Sequence, residues 1–198
     1  MITINNDIIT IDGYTVIHSF FVGEKNVIVA ENLKADYRYL CGYLEESEIA
    51  NRFTDCRLSS DYLEIMSLYC DRAKEQVENC KAHSIGDRTV ITQDMCRKLG
   101  DDETYKNKVV AVKPESLRRE YENAENQLYY AVGGNGLNPR GLGTKVYAYN
   151  LATKAHHYIR NYNIAGVVDK DKLPEWAKPK LAEIKKEIKE REERHNER

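Results

Sequence analysis

Apolar and polar positions alternate along the N-terminal part of the chain, and each run of alternation ends at residues that favour turns. Ile2 and Ile4 face Ile8, Ile9 and Ile11 across Asn5-Asn6-Asp7, where Asn and Asp tolerate positive φ. Asp12-Gly13 marks the next reversal, Tyr14 to Val22 is β-branched and aromatic, and Gly23 to Asn26 turns the chain into Val27-Ile28-Val29. Two further strands are expected at Tyr37 to Leu44 and Ile49 to Leu58. The pattern predicts an antiparallel meander.

Beyond Leu58 the period changes from two to 3.6. Ser59, Ser60 and Asp61 offer N-caps, with Glu64 in capping-box position after Asp61. Tyr62, Ile65, Met66, Tyr69, Ala73, Val77 and Cys80 recur at helical spacing and predict one apolar face that lies on the meander. The helix is expected to end between Ala82 and Gly86.

The second part predicts a strand at Thr89-Val90-Ile91, then a short helix capped by Thr92 and stopped by Gly100. Further strands are expected at Lys108 to Val112, Leu128 to Val132, Lys145 to Leu151, His156 to Ile159 and Gly166 to Val168. From Pro174 the pattern is helical, with Trp176, Leu181, Ile184 and Ile188 as a docking stripe. After Ile188 it is all polar, and Glu187 with Arg191 and Glu190 with Arg194 stand in the favourable i to i+4 order. The predicted class is therefore α+β. Residues 1–86 form a β-meander with one long helix, 87–172 a small α+β unit with a glycine-rich loop, and 173–198 a charged C-terminal helix.

Composition narrows the class. A hydrophobic fraction of 41% and a charged fraction of 31% are those of a globular chain, which excludes disorder throughout. Five cysteines, Cys41, Cys56, Cys70, Cys80 and Cys96, stand 10 to 16 residues apart without metal-binding spacing, so core thiols in a reducing cytoplasm are expected. The start lacks a basic, then apolar leader, and no stretch is long enough to span a bilayer, so neither secretion nor membrane insertion is expected. Residues 1–86 carry 14 acids against 8 bases and residues 87–198 carry 18 against 22, which suggests faces with different partners.

The most unusual stretch is GGNGLNPRGLG, residues 133–143. Its glycines permit positive φ and close approach, and Arg140 and Lys145 could balance a phosphate; it fits neither a P-loop nor a dinucleotide fingerprint. Asn135, Leu137, Asn138 and Arg140 are expected to form a protruding contact for a partner. Lys145, Tyr147 and Tyr149 share one strand face and could make a base-stacking platform. Glu45, Glu46 and Glu48 could imitate a phosphate backbone. His156 and His157 point to opposite faces and cannot share one ligand. No recurrent catalytic motif is present, so no catalytic residue, metal or cofactor is assigned.

Residues 108–151 with 166–184 resemble a module of accessory proteins carried by conjugative elements and plasmids of gut Firmicutes, through Gly133, Gly134, Gly136, Arg140, Gly141 and Pro174-Glu175-Trp176-Ala177. Residues 11–32 are similar to the N-terminal module often joined to it. The resemblance implies an anti-defence role. Its preferred form is a non-enzymatic anti-CRISPR protein that inhibits a Cas9-type nuclease loaded with guide RNA. The alternative is a nucleic-acid-binding accessory protein for maintenance or transfer of the element, and a third reading is a small enzyme, for instance a nuclease acting on a guide or a signalling nucleotide.

Overall fold

The computed structural model describes residues 9–46, 51–82 and 84–196, so the expected hairpin around Asn5-Asn6-Asp7 lies outside the described residues. The class is α+β: the described residues form ten antiparallel strands in two sheets of five, with three α-helices. The chain divides into two compact units, Met1–His83 and Ser84–Arg198.

The first unit is the meander, in the order β1 (Thr10–Ile11), β2 (Tyr14–Val22), β3 (Lys25–Glu31), β4 (Tyr39–Glu46) and β5 (Asn51–Ser59). Asp12 and Gly13, at φ of 52° and 80°, supply the tight reversal between β1 and β2. Helix α1 (Tyr62–Ala82) packs Ile65, Met66 and Tyr69 on Val27, Val29, Cys41 and Tyr43. The opposite face buries Ile28, Ala30, Leu40 and Leu44 beneath Ile9, Ile11, Val16 and Phe53, because the sheet curls until β1 returns toward β5.

Asp61 Oδ1 accepts from the amides of Leu63 (2.8 Å) and Glu64 (3.4 Å), as an N-cap should. The expected capping box differs: Glu64 accepts the Ser59 hydroxyl at 2.6 Å, and Ser59 Oγ takes the Asp61 amide at 3.0 Å.

The helix face also buries two polar residues, Arg72 and Gln76, among the expected apolar ones. Arg72 is possible there because Asp55, at φ 48° in a bulge opposite Gly42, brings its carboxylate to 3.2 Å. Arg72 also donates to the Cys41 carbonyl and lies 5.0 Å over the Tyr43 ring. Only Cys41 is a fully buried thiol, and burial pushes its pKa up; Cys56 and Cys70 are exposed, which corrects the expectation of core cysteines throughout.

The second unit orders its strands β10-β6-β7-β8-β9: β6 (Val109–Val112), β7 (Leu128–Gly133), β8 (Lys145–Asn150), β9 (His156–Arg160) and β10 (Ile164–Val167). Helix α3 (Ala177–Asn196) buries Ala177, Leu181 and Ile184 on one sheet face, against Val109, Ala111, Leu128, Tyr130 and Leu151. The C-terminal helix is thus part of this unit's core. Trp176 Nε1 donates to Asp87 Oδ2 at 2.7 Å. The other face buries Val110, Ala131, Val146, Ile164 and Val167 beneath Tyr105, Leu99 and Leu137.

Thr89 to Ile91 joins no ladder, contrary to the predicted strand. The side chain of Gln127, in the short helix α2 (Ala124–Gln127), takes the ladder's place. Its Oε1 accepts from Ile91 N, and its Nε2 donates to the carbonyls of Ile91 and Val112, each at 2.8 Å. The expected helix after Thr92 is one 3-10 turn, Gln93–Met95, and ends well before Gly100. Arg97 then closes the outer edge of β10 by exchanging backbone bonds with Val167 at 2.7 and 2.9 Å. β9 is the last strand on the other side.

Candidate functional site

The glycine loop is folded against its own unit through bonds made by its backbone and side chains. Its start is tied to the strand that follows it: Gly136 N donates to Lys145 O at 2.8 Å, and the side-chain Oδ1 of Asn135 accepts from Lys145 N at 3.0 Å. Leu137 packs into the core beneath the sheet, and its carbonyl accepts from Tyr105 N. Asn138 Oδ1 takes the Arg140 amide, closing a local turn. Arg140 itself is engaged within the unit, donating to the carbonyls of Gly100 (3.1 Å) and Asp101 (2.6 Å) and pairing with Asp101 Oδ1 at 2.6 Å. Leu142 stands fully exposed at the tip.

Glu45 pairs with Arg52 at 2.5 Å and accepts from Thr54; the Arg52 hydrogen bond is the main reason its carboxyl sits below the ordinary range. Glu46 ends β4, but its side chain lies outside the described residues, as does Glu48 altogether. His18 hydrogen-bonds to Tyr62, and His83 lies outside the described residues. Among the described residues, no group of three His, Cys, Asp or Glu is placed to hold a metal ion, and no helix is long and apolar enough to cross a membrane.

What the structure does bring together is the β8–β9 face. The two strands pair without a register shift, Lys145 with Arg160, Tyr147 with Tyr158, and Tyr149 with His156. Backbone bonds Asn161 N to Thr144 O and Asn150 N to Ala155 O set the phase. Those three pairs are therefore the non-hydrogen-bonded ones, in which cross-strand side chains stand closest. All six side chains share one face.

At one end α3 covers this face, and Arg191 donates to the Tyr149 hydroxyl at 3.3 Å. Arg191 is thereby drawn from its expected partner Glu187, which joins Lys154 at 3.0 Å. Toward the other end the rings are open: Tyr147 is 43% and Tyr158 53% exposed. His156 stacks on Tyr147 with centroids 6.0 Å apart and 18° between planes. Lys145 Nζ lies 5.2 Å and the Arg160 guanidinium 5.6 Å from the Tyr158 centroid.

Lys145 and Arg160 are like charges directly opposite each other, an arrangement that destabilises a sheet. Among the described residues neither forms a salt bridge; Arg160 donates only to Thr144 Oγ1 at 3.0 Å. Sequence reasoning found Lys145, Tyr147 and Tyr149 but missed Tyr158, Arg160 and His156. A signal was there: from Asn126 to Val168 the chain has no Asp or Glu, while it carries Arg140, Lys145, Lys154 and Arg160. Asp101 engages the first of these and Glu183 with Glu187 the third, which leaves Lys145 and Arg160 uncompensated. The face can therefore offer π surfaces and two unneutralised cations to an anionic, aromatic ligand.

Comparison with known proteins returns no matching family model, no matching curated protein and no matching solved structure.

Proposed function

We propose that this chain is a non-enzymatic binding protein that takes up a single-stranded stretch of nucleic acid on its β8–β9 face. The observation that carries this reading is the Lys145·Arg160 pair, two facing cations without a carboxylate partner among the described residues, set beside the exposed Tyr147·Tyr158 pair. Two facing cations cost the sheet stability unless an anion bridges them, and a phosphate supplies that anion. Two residues along a strand is about 7 Å, so a base reaches the tyrosines when its own phosphate sits between the cations. Aromatic faces accept any base, so the reading is sequence-tolerant.

The resemblance of residues 108–151 and 166–184 to accessory proteins of conjugative elements supplies the biological setting, an anti-defence role. A Cas9-type effector with its guide RNA is the partner that would present such a strand. The test is direct titration of labelled single-stranded RNA and DNA with the full chain. Tyr147→Ala and Tyr158→Ala should each weaken binding roughly 5- to 150-fold, the cost of one lost stack. No binding by the wild-type protein at low salt, or binding indifferent to both tyrosines, would sink the proposal. Capture of a guide-loaded effector but not of the guide-free one would support the anti-defence setting.

A further inference from the structure

The glycines of the 133–143 loop are not equivalent. A Cβ at Gly134, which has φ 106°, would lie 2.2 Å from Lys145 O; one at Gly136 would lie 2.6 Å from Thr144 C, and one at Gly143 2.2 Å from Asn135 O. At Gly141 the Asn138 carbonyl stands at 3.3 Å. In each of these four, neighbouring backbone crowds the position. Gly133 differs on every count. Its φ lies outside the left-handed region, a Cβ there would meet nothing within 4 Å, and it belongs to strand β7, where a glycine weakens the strand. Neither crowding nor dihedral angle asks for glycine here.

Its place on the sheet does. Gly133 pairs with Tyr147 just past a register shift that leaves Val132 as the extra residue, and through that pairing its missing side chain would stand on the face that carries the open tyrosines. Tyr147 turns its ring toward His156 on the far strand rather than over Gly133, which leaves the space above the glycine clear. We infer that this space is the seat of one unpaired nucleobase, laid against the free side of Tyr147 with its phosphate toward Lys145 and Arg160. The inference rests on the single-strand reading above and adds to it a specific subsite. A base within a duplex shows a groove only its edge, whereas an unpaired base offers the flat surface that such a seat requires.

The test uses the full chain with Gly133→Ala and Gly133→Leu, titrated against labelled single-stranded RNA, single-stranded DNA and duplex of about ten nucleotides, with a thermal melt of each variant. Because nothing crowds the position, both variants should melt at or above the wild-type temperature. Gly133→Leu should lose about tenfold or more in single-strand affinity, with Gly133→Ala in between and duplex binding unchanged. If Gly133→Leu, folded by its melt, binds like wild type while Tyr147→Ala is weakened, the seat is elsewhere and the platform survives. If Tyr147→Ala is also without effect, the platform itself is wrong. RNA and DNA arms that differ would identify the sugar the seat prefers.

Discussion

Glu103 shows how one exposed carboxylate can hold a loop. The Arg97 guanidinium donates to it at 2.5 and 3.1 Å, the Gly100 amide at 2.9 Å, and Lys108 Nζ stands 3.5 Å away. The Arg97 hydrogen bond first, and the Gly100 amide next, hold its carboxyl at about 2, against an ordinary 4.5. The segment it fastens carries Leu99 and Tyr105, which cover the lower sheet face. A carboxyl depressed on folding contributes stability that is complete above its unfolded value and drains away as pH falls toward the folded one. The wild-type melting temperature should therefore drop between pH 4.5 and 2 more steeply than that of Glu103→Gln, which should already be lower at neutral pH and flatter below it. Parallel curves would show that the cluster contributes nothing. Asp87 has the opposite leading influence: burial pushes it up, but its bonds from Thr89 and Trp176 outweigh that and hold it low.

Elements were legible where local rules decide them. Tyr14–Val22 is the predicted strand, and α1 begins after the expected cap, because alternation, turn residues and capping act within a few residues. Two features were not legible, for one reason. Thr89 to Ile91 has strand composition but finds its partner in the amide of Gln127, and Arg72 is buried because a bulge in β5 brings Asp55 to it. Both depend on a residue far away in sequence. Gln127→Ala would leave Ile91 N, Ile91 O and Val112 O without partners in a site where Gln127 is wholly buried. At about 1–3 kcal/mol for each orphaned group, a loss on the order of 3 kcal/mol or more in unfolding free energy is expected from denaturant titration. A loss below about 1 kcal/mol would mean that water takes over these bonds.

At the scale of the molecule, the net charge of −2 argues against a polyanion partner, and the local arrangement argues for one. Half of the candidate face, Lys145 with Tyr147 and Tyr149, could be read from strand periodicity; the other half, on β9, needed the β8–β9 register. Salt separates the two scales. If Lys145 and Arg160 each neutralise one phosphate, log affinity should fall against log salt with a slope of about −1.4, and the double alanine variant should flatten it toward zero. A slope that the double variant leaves unchanged would mean that the charge is gathered elsewhere. The closed glycine loop adds a constraint on how such a face can change over time. Lys145 is both a cation of the face and the residue whose carbonyl meets Gly134 and Gly136. Drift at either glycine would push strand β8 out of line before it touched any ligand, so inherited variation there should be purged as misassembly, while positions on the rim remain free to explore new specificities.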